Sequence, residues 1–311
     1  MIVLPRTVAS VRVPATSANL GPAFDCAGLA LTCYDVVEFA VAPAGLSVEV
    51  RGAGAGDLPS DESHLVVRAF RAACDELGWT PSGLRVVADN GIPQGRGMGS
   101  SAAAVVAGVV GAWALCPDVE EIDEDAVLRL TTGLEGHPDN VAPCLLGSAT
   151  LSWMTAQGVG AARIGVNAQI APVLFVPTDT LSTHVARGLL PDLVPHADAA
   201  YNAARAALLV HALSADPALL YEATDDRLHQ RQRAAAMPES IDLVDRLRAD
   251  GHAAVVSGAG PSVLVLAVAP DDNAAEAPLR RFTPPGWTVC GLEVDVDGAT
   301  VSRRGQQVSS S

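Results

Sequence analysis

The sequence predicts an α+β protein of two domains, and three observations carry that prediction. The chain has 311 residues, more than the roughly 250 to 300 at which a single hydrophobic core stops growing. Hydrophobic residues make up 49% and charged residues 18% of it, the balance of a globular chain and not of a disordered or coiled-coil one. Strand-length apolar runs and helix-spaced runs occur in both halves, as α+β architecture requires.

Val8 to Val13 alternates apolar and polar residues, the period of a half-buried strand, and the run stops at Pro14. Asp35 to Val41 and Leu46 to Val50 read as strands joined by a turn at Pro43 to Gly45, which predicts an antiparallel hairpin. Polar Gly52 to Ser63 is a loop. His64 to Leu77 places Leu65, Ala69, Ala72, Ala73 and Leu77 at helical spacing, with Gly78 as the stop. Leu84 to Ala88 is a further strand. The longest apolar run, Ala102 to Cys116, is shorter than the roughly 20 residues that span a bilayer and predicts a buried helix. Asp125 to Leu134 is a second helix.

Strands follow from Ala149 to about Ile170, and Ile170 to Val176 opens a new apolar strand. The domain boundary is placed there, giving domains at 1–168 and 169–302. The second half holds helices at about Tyr201 to Leu213, Pro217 to Leu228 and Ser240 to Asp250, with strands at Ala253 to Val256, Ser262 to Val268 and Thr288 to Val294. Residues 303–311 are polar and expected to form a flexible tail.

All 20 basic residues are arginines. Without lysine there is no P-loop lysine, no kinase strand lysine and no Schiff base, so any anion is held by arginine, backbone amides or a metal. A net charge of −15 opposes nucleic acid, whose binding needs a basic face. The six cysteines form no CxxC and no zinc-spaced cluster, which fits reduced thiols in a cytoplasmic protein. The start, MIVLPRTVAS, lacks the pattern of a signal peptide.

Three motifs carry chemistry. In PATSANLGPAFD, Pro14 to Asp25, a strand ends in a proline-stiffened loop that presents Asn19 and Asp25. Either residue alone reads as an Asx turn or helix cap, while the pair could grip a small polar ligand. In GIPQGRGMGSSAAAVVAG, Gly91 to Gly108, glycines at 95, 97 and 99 let backbone approach a ligand just before a helix whose free amides attract an anion. Ser100 or Ser101 alone reads equally well as a helix cap. The spacing matches neither the dinucleotide fingerprint nor the P-loop. SGAGPSV, Ser257 to Val263, is a tight turn or a second backbone surface against the same ligand.

In this order and spacing the motifs closely resemble those of the GHMP kinases, and within them the homoserine kinase subfamily, with its PATSANLGPGFD, GLGSSAA, HPDNVAP, LSTxxAR, LHxxxR and SGAGPS. Here HPDNVAP is His137 to Pro143, LSTHVAR is Leu181 to Arg187 and LHQRQR is Leu228 to Arg233. The resemblance spans about residues 8 to 268. It implies a two-domain GHMP kinase fold: an ATP-binding amino-terminal domain like ribosomal protein S5 domain 2 and a ferredoxin-like carboxy-terminal domain. It further implies transfer of the ATP γ-phosphoryl group to the hydroxyl of L-homoserine in threonine biosynthesis, a magnesium ion, and a homodimer. No nucleic acid or membrane partner is implied.

Carried over by motif, Pro93, Gln94, Gly95, Arg96, Gly97, Met98, Gly99, Ser100, Ser101 and Ala102 would hold ATP, with Arg96 adding a charge. Glu135 matches the family's magnesium carboxylate, with Ser101 beside it. Arg187 and Arg233 match the carboxylate-binding arginines, and a planar guanidinium suits that partner. Asn19 and Asp25 would take the amino end, and His137, Asp139 and Asn140 would line the same cleft. Thr183 would lie near the γ-phosphate, so Asp25, Asn140, Thr183 and Arg187 form the implied catalytic set.

An amide at Asn140, where some relatives carry an aspartate, cannot accept a proton. The reading is therefore that no dedicated base exists, with Asp25 and His137 as the alternatives. Departures from the pattern include Ala23 for the second glycine of GPGFD, Met98 for leucine, and Arg231 with Gln232 for Pro-Tyr, which leaves Arg231 a rival to Arg233. The nucleobase is implied near Ser60 to Leu65, where His64 replaces the usual asparagine. Another GHMP small-molecule kinase, or a non-catalytic ligand sensor on the same fold, is the alternative reading.

Overall fold

The computed structural model describes residues 6–305. Strands β1 (Arg6–Ala18), β2 (Ala27–Val41) and β3 (Gly45–Gly52) lead to helix α1 (Leu65–Leu77) and strand β4 (Gly83–Asn90). Helices α2 (Ser100–Leu115), α3 (Glu124–Glu135) and α4 (Val141–Leu146) follow, then the hairpin β5 (Ala149–Thr155) and β6 (Gly158–Ile164). The second half runs β7 (Ile170–Val176), α5 (Thr183–Gly188), α6 (His196–Ser214), α7 (Leu220–Ala223), α8 (Pro238–Ala249), β8 (Ala254–Val256), β9 (Val263–Val268), α9 (Asp272–Leu279), β10 (Thr288–Gly291) and β11 (Thr300–Gly305).

A seven-stranded sheet is ordered β11-β1-β2-β4-β3, with the β5–β6 hairpin joined to the far end of β2, and a four-stranded sheet is ordered β10-β7-β9-β8. The α+β architecture thus stands. Among the described residues no helix is long and apolar enough to cross a membrane.

Four details differ from the sequence expectations. The helix read over Pro217 to Leu228 is a 3₁₀ turn, Pro217–Leu219, followed by α7, which ends at Ala223. β1 continues past Pro14 to Ala18, because the pairing with β2 shifts register between Pro14 and Ala15 and so accommodates a residue without an N–H. β2 and β3 are not a hairpin: β4 lies between them, antiparallel to β2 and parallel to β3. A β3–α1–β4 crossover makes that parallel pair, and local turn chemistry does not reveal it. Residues 303–305, expected in the tail, complete β11 against β1; 306–311 lie outside the described residues.

The apolar run at 102–116 becomes α2, buried on every side from Val105 to Leu115. It packs on α1, β1 and the long β2, so its amino end is fixed by the main core. That core continues under the second sheet through Leu174, Val255 and Leu264. A second cluster beneath α8 and α9 completes the smaller half.

Candidate active site

The glycine loop between β4 and α2 is shaped by left-handed backbone at Gly95, Gly97 and Gly99, with φ of 65°, 70° and 70°. Gly99 is itself the residue preceding α2, and no side chain caps the helix. Ser100 and Ser101 therefore sit in the first turn instead of capping it, and the first-turn amides are left for a ligand. A methyl group on Gly97 would lie 2.2 Å from the Ser257 carbonyl oxygen. The second glycine turn thus presses directly on the first: Ser257 Oγ donates to the Gly97 carbonyl at 2.6 Å, and Gly258 N–H donates to the Ala18 carbonyl at 3.1 Å.

A cleft of about 190 Å³ opens over this loop. It is lined by the loop residues Gly95, Gly97, Met98, Gly99, Ser100 and Ser101 and by Asn19, Thr183, Arg187 and Arg233. Glu135, His137, Asp139 and Asn140 close it.

Asp25, Pro93, Gln94, Arg96 and Ala102 are not among its lining residues; Asp25 meets the cleft through its ion pair with Arg187. Ala102 is fully buried in the core. The Arg96 guanidinium donates to the carbonyls of Pro177, Gln94 and Thr178 at 2.8, 3.0 and 2.6 Å, so its charge ties the loop to the segment after β7 instead of lining the cleft. Gln94 lines a neighbouring cavity of about 270 Å³, mostly apolar, which shares Ser100 and Ser101 with the cleft and includes Leu65 and His64. His64 is 3% exposed and neither ring nitrogen has a hydrogen-bond partner.

At the Glu135 corner, Ser101 Oγ donates to Oε2 at 2.8 Å. Burial pushes this carboxyl up. Asp139 is buried and its Oδ1 lies 2.7 Å from His137 Nδ1, a hydrogen bond that raises the His137 pKa. Thr16 Oγ1 donates to Asn140 Oδ1 at 2.8 Å. That oxygen is therefore engaged, and the Asn140 side chain offers the cleft its amide hydrogens.

Facing this corner, Arg187 and Asp25 form a two-pronged ion pair of 3.0 and 2.6 Å. Asp25 and Asn19 both have left-handed backbone, and the two ends of the Asn19 amide hold the loops together: Nδ2 donates to the Gly258 carbonyl at 2.9 Å and Oδ1 accepts from Asp25 N–H at 3.0 Å. Phe24 lies between two cations, with the guanidinium of Arg187 5.6 Å and that of Arg233 5.3 Å from its ring centre. Arg233 is 1% exposed and its Nε is without a partner. Arg231, its rival by sequence, points away and pairs with Asp245 through both terminal nitrogens.

Sequence reasoning missed Thr16, although it stands inside PATSAN, and missed Ser182, which lines the cleft from within LSTHVAR. Both lie in motifs that were recognised, so their positions were the available signal.

Comparison with known proteins agrees with this geometry. The GHMP kinase N-terminal domain matches residues 64–148 and the GHMP kinase C-terminal domain matches 195–283. A homoserine kinase of Streptomyces avermitilis is 54% identical over 292 residues, covering 94% of this chain and 94% of its own. One from Clavibacter michiganensis is 52% identical, covering 94% and 93%. The crystal structure of homoserine kinase from Cytophaga hutchinsonii superposes with a TM-score of 0.83 over 97% of this chain and 99% of that one, at 24% identity, and so shares the fold. Chain-length identity of this order, joined to both domain matches, leaves one conclusion: the chain belongs to the GHMP kinase family, on its homoserine kinase branch.

Proposed function

We propose that this chain transfers the γ-phosphoryl group of ATP to the side-chain hydroxyl of L-homoserine, forming O-phospho-L-homoserine on the way to threonine. One observation carries the reading: the uncapped start of α2 and two arginines line a single cleft. Phosphate fits the helix start. An amino-acid carboxylate fits the arginines that line the cleft, Arg187 and Arg233. Asp25 and Asn19 take the ammonium, and Thr183 lies on the wall beside the transferring group.

Phosphoryl transfer is mainly positioning and charge stabilisation. Loop amides, Arg187 and Arg233 supply both here, and the Asn140 amide orients the hydroxyl as a donor. No residue is assigned as base; the proton leaves late, to phosphate. The apolar cavity beside Ser100 receives the nucleobase, with His64 in its wall. Glu135 and Ser101 form a hard-oxygen pair suited to magnesium that takes its other ligands from phosphate and water. Among the described residues no three His, Cys, Asp or Glu side chains cluster as a protein-only metal cage. Bound there, magnesium would offset charge on the phosphate oxygens.

A coupled ADP-release assay with magnesium ATP tests the reading, using L-homoserine, L-serine, shikimate, mevalonate and no acceptor, with product mass as readout. Phosphohomoserine formed with L-homoserine alone is the expected result. Folded protein that forms no product refutes it and favours another alcohol or a sensing role. The same reading includes a homodimer, tested by sedimentation, and a reducing cytoplasm, which the six unpaired thiols support.

A further inference from the structure

His229 is fully buried, sits four residues before Arg233 and lies outside every role assigned above. Its Nε2 is 2.7 Å from the carbonyl oxygen of Gly21. A carbonyl only accepts, so Nε2 carries the hydrogen. Its Nδ1 is 3.2 Å from Arg233 Nη1, and a guanidinium only donates, so Nδ1 presents its lone pair. Both partners thus specify the same neutral tautomer, and burial independently pushes the ring's pKa down. The ring also stacks obliquely on Phe24, with centres 5.1 Å apart.

The backbone carrying His229 is itself held. Asp226 accepts N–H bonds from Leu228, His229 and Gln230 at 2.9, 3.1 and 2.9 Å. Asn202 Nδ2 donates to Asp226 at 3.1 Å and to the Pro22 carbonyl at 3.0 Å. Gly21 and Pro22 belong to the loop that presents Asn19 and Asp25. One imidazole therefore links the Arg233 guanidinium to the loop that presents Asn19 and Asp25.

We propose that His229 is a positioning residue for the amino-acid head of the substrate: it sets the Arg233 guanidinium at a fixed place relative to the Asn19–Asp25 loop, so that carboxylate and ammonium are met together. This rests on the reading that Arg233 takes the substrate carboxylate. Losing the link misplaces one half of the recognition site and leaves the phosphate wall, built from another segment, intact.

The test compares wild type with His229→Leu, which removes both hydrogen bonds, and His229→Gln, which keeps one. Expected are a KM for L-homoserine raised at least about 10-fold in the leucine variant, partial recovery in the glutamine variant, and a KM for ATP within about twofold of wild type. Equal rises in both KM values, or an unchanged KM for homoserine, overturn the proposal. Wild type without homoserine activity overturns the functional reading and this inference with it. Nitrogen-15 NMR of the histidines in wild type decides the matter if the variants do not fold. A neutral ring at His229 with hydrogen on Nε2, whose Nδ1 signal moves on adding L-homoserine, is expected; a doubly protonated ring or the opposite tautomer overturns it.

Discussion

Arg187 holds Asp25 with both terminal nitrogens across 162 positions of sequence. Arg187 lines the cleft, so the pair joins α5 to the loop after β1 at the place assigned to a zwitterion. Charge-assisted hydrogen bonds contribute about 1.5 to 3 kcal/mol each. Arg187→Ala should therefore lower kcat/KM for L-homoserine roughly 10- to 150-fold, while the KM for ATP changes little. Steady-state kinetics with each substrate varied in turn checks this.

The absence of a dedicated base predicts tolerance at the two candidate side chains. His137→Gln should keep kcat within about tenfold of wild type, or roughly 1.4 kcal/mol of barrier. Asp25→Asn should do the same while raising the KM for L-homoserine. A kcat loss of a thousandfold in either variant would identify that residue as the base.

Gly97 combines positive φ with a backbone oxygen where a side chain would stand. Gly97→Ala should cost at least about 2 kcal/mol, a Tm loss of roughly 3 °C or more, and should weaken ATP binding. Gly136 also has positive φ but nothing within 4 Å of a built methyl group. Gly136→Ala should carry only the conformational cost of about 1 to 2 kcal/mol and leave the KM for ATP unchanged. Calorimetry and kinetics on both proteins separate the two contributions.

Asp35 is buried beside the apolar cavity, and burial is the main reason that its carboxyl is pushed from 3.8 up to about 6, against N–H bonds from Ile92 and Gly91. Between those pH values the folded chain keeps a proton that the unfolded chain has released, so this group's contribution to stability falls as pH rises from about 4 to about 6. Asp35→Asn keeps an acceptor for Ile92 N–H and removes the charge. Urea unfolding should show the variant more stable than wild type above pH 6, by an amount on the order of 1 to 3 kcal/mol, with the difference shrinking toward pH 4.

What was legible in the sequence follows from locality. Glycines at 95, 97 and 99 announced backbone that other residues rarely adopt, and α2 announced itself by an unbroken apolar run of 15 residues. The fate of Arg96 was not legible, because whether a guanidinium meets phosphate or three carbonyls depends on the segment after β7, some 80 positions away. His229 was hidden for the same reason: its hydrogen bond to Gly21 spans 208 positions. The β2–β3 hairpin failed because β4 intervenes from outside the turn. Helix α5, six residues long, has no period to detect and was visible only as a motif.

β11 has a consequence for how the chain is made. It is the outer neighbour of β1, so β1 gains its second partner only when residues 300–305, almost 300 positions later, have been synthesised. Until then residues 6–12 of β1 show unpaired peptide groups on one side, an open edge that invites other nascent chains. Translation halted between β10 and β11 would release a polypeptide with every residue assigned to the site and with that edge uncovered. Residues 300–305 protect residues 6–12.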